Sequence, residues 1–152
     1  SEEPLEDGYR SILLPLATLA TPNAIEARLL APDADSREAC AQQLMSLGCE
    51  YVLHTGSHEP TKDVVHHLYG HRRLMESFTQ TRLSGQYHGS GCTLASACAA
   101  ALAQGFDITA AVREALRFTW NSLAHGHQAG MGQRLPQRQY WADGDHPVRS
   151  KS

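Results

Sequence analysis

The amino-acid sequence predicts an α/β fold on three observations. Short apolar, partly β-branched runs end in Gly, Pro or Asn turns, as at "LATLATPN" and "YVLHTG". Segments with helical spacing and their own caps lie between and after them. The resulting order, strand, helix, strand, hairpin, helix, helix, is an α/β order. Residues 1–10 ("SEEPLEDGYR") are acidic and turn-rich and are expected to form a loose lead-in. Pro15 stops any helix there, so Leu16–Thr21 reads as a buried strand, and Pro22-Asn23 marks a turn before a short helix over "AIEARLL". Ser36 is an N-cap and Gly48 a C-terminal glycine, with Cys40, Leu44 and Leu47 at helical spacing, which places a helix over Arg37–Leu47. Residues 50–56 form a second strand. "DVVHHLY" and "RLMESFT" flank a turn near Gly70, the pattern of a β-hairpin. A helix is expected over Cys92–Gln104, ended by Gly105. A second one, capped by Asp107 or Thr109, buries Ile108, Val112, Leu116, Trp120 and Leu123 and ends near His125. The glycine-punctuated remainder reads as loop, with 142–152 a flexible tail.

Composition bounds the function. With 152 residues, 41% apolar and 19% charged, the chain has the makeup of one globular domain, or of one part of a larger domain. A net charge of −3 gives no footprint for nucleic acid or an anionic membrane. Cysteines 40, 49, 92 and 98 form no C-x-x-C pair and fit no zinc framework, so reduced thiols and a cytoplasmic setting are expected. No apolar run approaches the ~18 residues of a membrane span.

Three stretches could carry chemistry. In "HGSGC" (88–92), Gly89 and Gly91 straddle Ser90 where a helix starts, and Cys92 follows. Glycines allow a ligand close to the backbone, and the unpaired N–H groups of a helix start, at the positive end of its dipole, suit a phosphate. Cys92 could then be a base, a nucleophile or a polar contact. The plainer reading is a tight turn with Cys92 as a small buried hydrophobe. The Walker pattern G-x-x-x-x-G-K-[ST] and the hydrolase pattern G-x-S-x-G are both absent. In "TPNAIEA", Asn23 and Glu26 lie three apart after a strand. An amide and a carboxylate there could hold hydrated magnesium, or they could form a capping box. In "VLHTGSH", Thr55 and Gly56 offer a hydroxyl and backbone N–H groups at a strand end, a phosphate contact or a simple turn. The nine histidines show no metal-like cluster. His66 and His67 point to opposite faces of a strand, and His125 and His127 read as a helix end.

In this order "LLPLATLATPNAIEARLL", "LMSLGCEYVLHTGSH" and "HGSGCTLASACAAALAQG" resemble the later half of the hydroxymethylpyrimidine/phosphomethylpyrimidine kinases of thiamin biosynthesis, over residues 11–141. The resemblance implies the C-terminal portion of a ribokinase-like three-layer α/β/α fold, with a hairpin edge and packed helices. It implies ATP and Mg²⁺ as cofactors and a small pyrimidine as substrate. Gly89, Ser90, Gly91 and Cys92 match the anion hole for the transferring phosphoryl group. Asn23 and Glu26 match an Asn-x-x-Glu motif tied to magnesium and nucleotide phosphates, with Thr55 and Gly56 beside the nucleotide. Related kinases of the hydroxyethylthiazole or pyridoxal type, and a catalytically silent pyrimidine-binding relative, are the alternatives. Thr55-Gly56-Ser57-His58 stands where the family usually has Lys-Gly-Gly-His, and Gln86 where it tends to have Asn or Asp. The first half of the family fold is not matched, so a complementary N-terminal half and a homo-oligomer are expected partners.

Overall fold

The computed structural model describes residues 7–56, 61–83, 86–87, 90–125, 127–129 and 133–135. The chain divides into two compact units, Ser1–Arg82 and Leu83–Ser152.

The first unit holds a four-stranded mixed sheet in the order β1 (Leu19–Ala20), β2 (Tyr51–His54), β3 (Asp63–Gly70), β4 (Arg73–Thr81). β1 and β2 are parallel, and the other neighbours are antiparallel. The first strand is shorter than the sequence suggests. Leu14–Leu16 forms a 3₁₀ turn with Pro15 in its first positions, where a fixed φ and a missing N–H cost nothing. Of the lead-in expected over 1–10, residues 1–6 lie outside the described residues, and Tyr9–Leu13 is a helical turn. Arg10 ties it to the helix beyond β1 by donating to the carbonyls of Leu29 and Leu30.

Helices α1 (Ala24–Leu30) and α2 (Arg37–Ser46) begin where their caps predict. The Asn23 side chain caps α1, and Ser36 Oγ accepts from Ala39 N–H at 3.1 Å to cap α2. Gly48 (φ +117°) follows α2, and a Cβ there would lie 2.7 Å from Pro15 Cα, so glycine is required twice over. Leu14, Ala27, Ala31, Cys40, Ala41 and Leu44 pack with Val52 and Tyr69 of the sheet in one core. Tyr69 Oη reaches Glu38 Oε1 at 3.2 Å, joining strand and helix at the rim of this core. The hairpin turns through His71 and Arg72, both with positive φ (50° and 61°), one step past Gly70.

The second unit holds α3 (Ser90–Ala103) and α4 (Ile108–Ala124). Gly105 (φ +89°) closes α3: its N–H bonds Leu102 O, and Phe106 N–H bonds Ala101 O, the double bond of a Schellman end. Asp107, one of the two caps expected, starts α4 by accepting from Ala110 N–H at 2.8 Å. The buried face of α4 is Ala111, Val112, Ala115, Leu116, Thr119 and Ser122. Ile108, Trp120 and Leu123, expected in the stripe, are only half-buried, because small side chains let the helix approach its neighbours on a face rotated from the bulky one. Three short strands, β5 (Gln86–Tyr87), β6 (His127–Ala129) and β7 (Gln133–Leu135), form a second sheet in the order β5-β7-β6. His127 is therefore in a strand and not at a helix end, whereas His125 is the C-cap of α4. The expected tail, 142–152, lies outside the described residues. Among the described residues no helix is long and apolar enough to cross a membrane.

Candidate functional site

The expected site residues fall into two groups, one in each unit. In the first unit they stand at the carboxyl ends of the two parallel strands. Beyond β1 and β2, Asn23 and Thr55 continue the pairing as an isolated parallel bridge, and Thr55 N–H bonds Pro22 O at 2.9 Å. This lacing sets Asn23, Glu26, Thr55 and Gly56 along one end of the sheet, where open α/β sheets bind ligands.

The polar atoms there are partly committed. Asn23 Oδ1 accepts from the N–H groups of Ile25 and Glu26, both at 2.9 Å, and Glu26 Oε2 accepts from Asn23 N–H at 2.9 Å. This is the capping box that the sequence allows as one of its two readings. It uses both lone pairs of Asn23 Oδ1 and leaves Glu26, which is exposed, its other carboxylate oxygen. Among the described residues no group of three His, Cys, Asp or Glu could hold a metal. One exposed carboxylate suits a hard dication that keeps most of its water and leans on phosphate oxygens, as magnesium does. Glu26 therefore fits that role, and Asn23 fits it by orienting Glu26.

Thr55 and Gly56 are similarly engaged. Thr55 Oγ1 lies 3.4 Å from Pro22 O. Gly56 N–H donates to His66 Nδ1 at 3.3 Å, and a Cβ on Gly56 would collide with the Val65 carbonyl oxygen. Glycine is needed here because β3 passes so close, and its N–H is held by a histidine. His66 is 8% exposed, and burial, together with the neighbouring His67, pushes its titration down to about 4 against a hydrogen bond with Gln80. A neutral imidazole with Nδ1 as acceptor is the state this bond requires. The sequence assigns His66 no functional role; the period-two alternation that separates it from His67 is the signal that places it indoors.

In the second unit α3 begins at Ser90, two residues before the expected start. Ser90, Gly91 and Cys92 are thus its first turn, and their N–H groups have no acceptor within the helix. The other three helices are capped by the side chains of Asn23, Ser36 and Asp107. The residue ahead of α3 is Gly89, which has no side chain to do so. Gly89 and His88 themselves lie outside the described residues. Gly91 is exposed, with no neighbouring atom within 4 Å of where a Cβ would stand, so neither space nor backbone conformation demands glycine. All four cysteines are free thiols. Cys40, Cys49 and Cys98 are buried, and burial raises each, Cys98 to about 11. Cys92 is the exposed one. Cys92 is thus not the small buried hydrophobe of the plainer reading but an exposed thiol in the first turn of a fourteen-residue helix.

Comparison with known proteins gives the chain's family and fold. The sequence model of the family described as phosphomethylpyrimidine kinase matches residues 2–137. The hydroxymethylpyrimidine/phosphomethylpyrimidine kinase of Mycobacterium tuberculosis is 41% identical over 131 residues, covering 83% of this chain and 48% of that protein. A thiamine biosynthesis bifunctional protein of Geobacter sulfurreducens is 36% identical over 124 residues, covering 79% of this chain and 25% of that protein. Among solved structures, an ADP complex of Bacillus subtilis pyridoxal kinase superposes with a TM-score of 0.83 at 24% identity, over 93% of this chain and 57% of that one. The last likeness shows the expected ribokinase-like α/β fold. The chain spans about half the length of the Mycobacterium protein it matches. With the family model covering most of its length, this chain belongs to the phosphomethylpyrimidine kinase family.

Proposed function

We propose that this chain is the C-terminal, phosphoryl-handling part of a kinase, spanning residues 11–141. It would act on 4-amino-5-hydroxymethyl-2-methylpyrimidine, its monophosphate, or both, in thiamin diphosphate biosynthesis. The observation that carries the reading is the exposed Cys92 in the first turn of α3, in a chain of this family. Phosphoryl transfer asks a protein for positioning and for neutralisation of oxygen charge, with little covalent chemistry of its own. The N–H groups of Ser90, Gly91 and Cys92, with Gly89 ahead of them, meet the charge that builds on the transferred group. The Cys92 thiol stands beside the attacking substrate oxygen and orients it. ATP supplies the phosphoryl group, and magnesium, when bound, offsets the charge of its phosphates. Glu26 would hold that ion, and Asn23 fixes Glu26 by the capping box. Thr55 and Gly56, locked to Pro22 and His66, form the rigid wall beside the nucleotide. The setting is cytoplasmic, and the working unit includes a complementary N-terminal half and further copies of itself.

A second reading, a pyrimidine-binding relative without transfer, is favoured by one observation: the Thr55 and Gly56 donors are turned inward where the family usually presents a lysine. ADP release with the pyrimidine alcohol, pyridoxal and hydroxyethylthiazole as acceptors separates the readings. The proposal expects release with the pyrimidine at least about tenfold faster than with the others, a margin one set of buried polar contacts supplies. Binding of the pyrimidine without ADP release supports the silent relative and contradicts the kinase.

A further inference from the structure

We propose that Thr119 and Ser122 on α4, with Thr93 on α3, form an internal binding site for a water molecule that fastens the end of α4 to the first turns of α3. The site goes beyond the kinase reading and does not depend on it, since it concerns how the helix pair is held.

Five polar residues are buried among the described residues: His54, His66, Thr93, Thr119 and Ser122. Three of them belong to α3 and α4. Ser122 is fully buried and Thr119 is 7% exposed. Neither Thr119 Oγ1 nor Ser122 Oγ has a hydrogen-bond partner among the described residues. Serine and threonine inside a helix often turn back to the carbonyl one turn earlier, and these two do not. A buried hydroxyl without a partner carries the full cost of leaving water, so native proteins rarely keep one unless an ordered water serves it. Two of them on one face of one helix mark a polar pocket.

The spacing suits a single water. Thr119 and Ser122 are three apart, so their Cβ atoms lie about 5–6 Å from each other on the same face of α4. One water bonded to both hydroxyls, at about 2.8 Å each, spans that gap. The third partner comes from α3. The two helices are joined by residues 104–107 alone and pack on each other, which makes them antiparallel neighbours. Thr93 stands about as far from that connection along α3 as Thr119 does along α4, so the two share a level. Thr93 is 2% exposed, and a threonine hydroxyl has one donor and two acceptor sites. An internal water typically makes about three hydrogen bonds to polar groups of this kind.

The rest of the helix pair confines the water to this end. Nearer the connection the buried side chains are apolar, among them Cys98 and Ala101 of α3 and Val112 and Ala115 of α4. Such side chains give a water nothing to bond. The three hydroxyls gather at the far end, where Thr93 directly follows Cys92. A bridge there fixes how the turn that carries Cys92 sits on α4.

Oxygen-17 relaxation dispersion of the solvent, which counts waters held inside a protein, tests the site on the full chain. The T119V/S122A variant should hold one internal water fewer than the wild type and melt about 4 °C lower. S122A alone should lose the same water, because the site needs both hydroxyls of α4. It removes a single oxygen, so it carries the comparison should the double variant fail to fold. The sign of the melting shift separates the two possibilities. If the hydroxyls are simply unserved, replacing them by apolar groups raises the midpoint. An unchanged water count, or a midpoint equal to or above that of the wild type, overturns the proposal.

Discussion

His66 shows how one side chain sets the local structure of a strand end. It is buried, it accepts the Gly56 N–H, and it titrates at about 4 when folded against an ordinary 6.5. Between those values the unfolded chain binds more protons than the folded one, so stability rises with pH there. The contribution is fully present above 6.5 and is lost as pH falls towards 4. It amounts to about 3 kcal/mol at its largest. Urea unfolding at pH 7 and pH 5 should show this loss. The H66N variant, which keeps an acceptor near Gly56 but cannot be protonated, should show less of it. Equal pH dependence in the two proteins would mean that His66 is not the group responsible. Glu26 and Asn23 illustrate a different point at the same scale. A capping box and a magnesium ligand use the same residue types at the same spacing, and the sequence cannot separate them. The geometry shows the box formed and one Glu26 oxygen left over.

At the scale of elements, the parts with local causes were legible in the sequence. Ser36 and Gly48 bound α2, and Gly105 and Asp107 separate α3 from α4, as their side chains and backbone freedom dictate. The hairpin was legible from its alternation, and its turn makes a prediction. His71 and Arg72 both hold positive φ, the backbone of a type I′ turn, which favours glycine at the second position. R72G should stabilise the protein by about 1 kcal/mol, while keeping the edge-on contact of His71 with Tyr51 at 5.8 Å. A lower thermal midpoint for R72G would contradict this. What was not legible depends on long-range context. β1 shrank to two residues because Pro15 draws its neighbours into a 3₁₀ turn. β5, β6 and β7 have two or three residues each, too few for any period to register. The stripe on α4 is centred on alanines, a threonine and a serine, a packing choice that hydrophobicity alone does not reveal. For the site, residue types and spacing pointed to Asn23, Glu26 and Cys92. They gave no sign that the Thr55 and Gly56 donors turn inward, since that depends on Pro22 and on a histidine in another strand.

At the scale of the whole molecule, the chain has a formed core in its first unit and a helix pair in its second, yet it matches about half of a longer relative. The exposed leucines and isoleucines near β1 and the first turn of α3 at Ser90 are unlike in chemistry. One is an apolar surface exposed among the described residues. The other is a set of polar N–H groups with no acceptor within their own helix. The second concerns chemistry, and the chemistry turns on Cys92. The most direct measurement is steady-state ADP release with 4-amino-5-hydroxymethyl-2-methylpyrimidine by the wild-type protein and by C92A, each assembled with the complementary half. If the open turn of α3 receives the phosphoryl group with Cys92 beside the attacking oxygen, C92A should lose about 100-fold or more in kcat. Its KM for ATP should stay within about threefold. Full turnover by C92A would contradict the account.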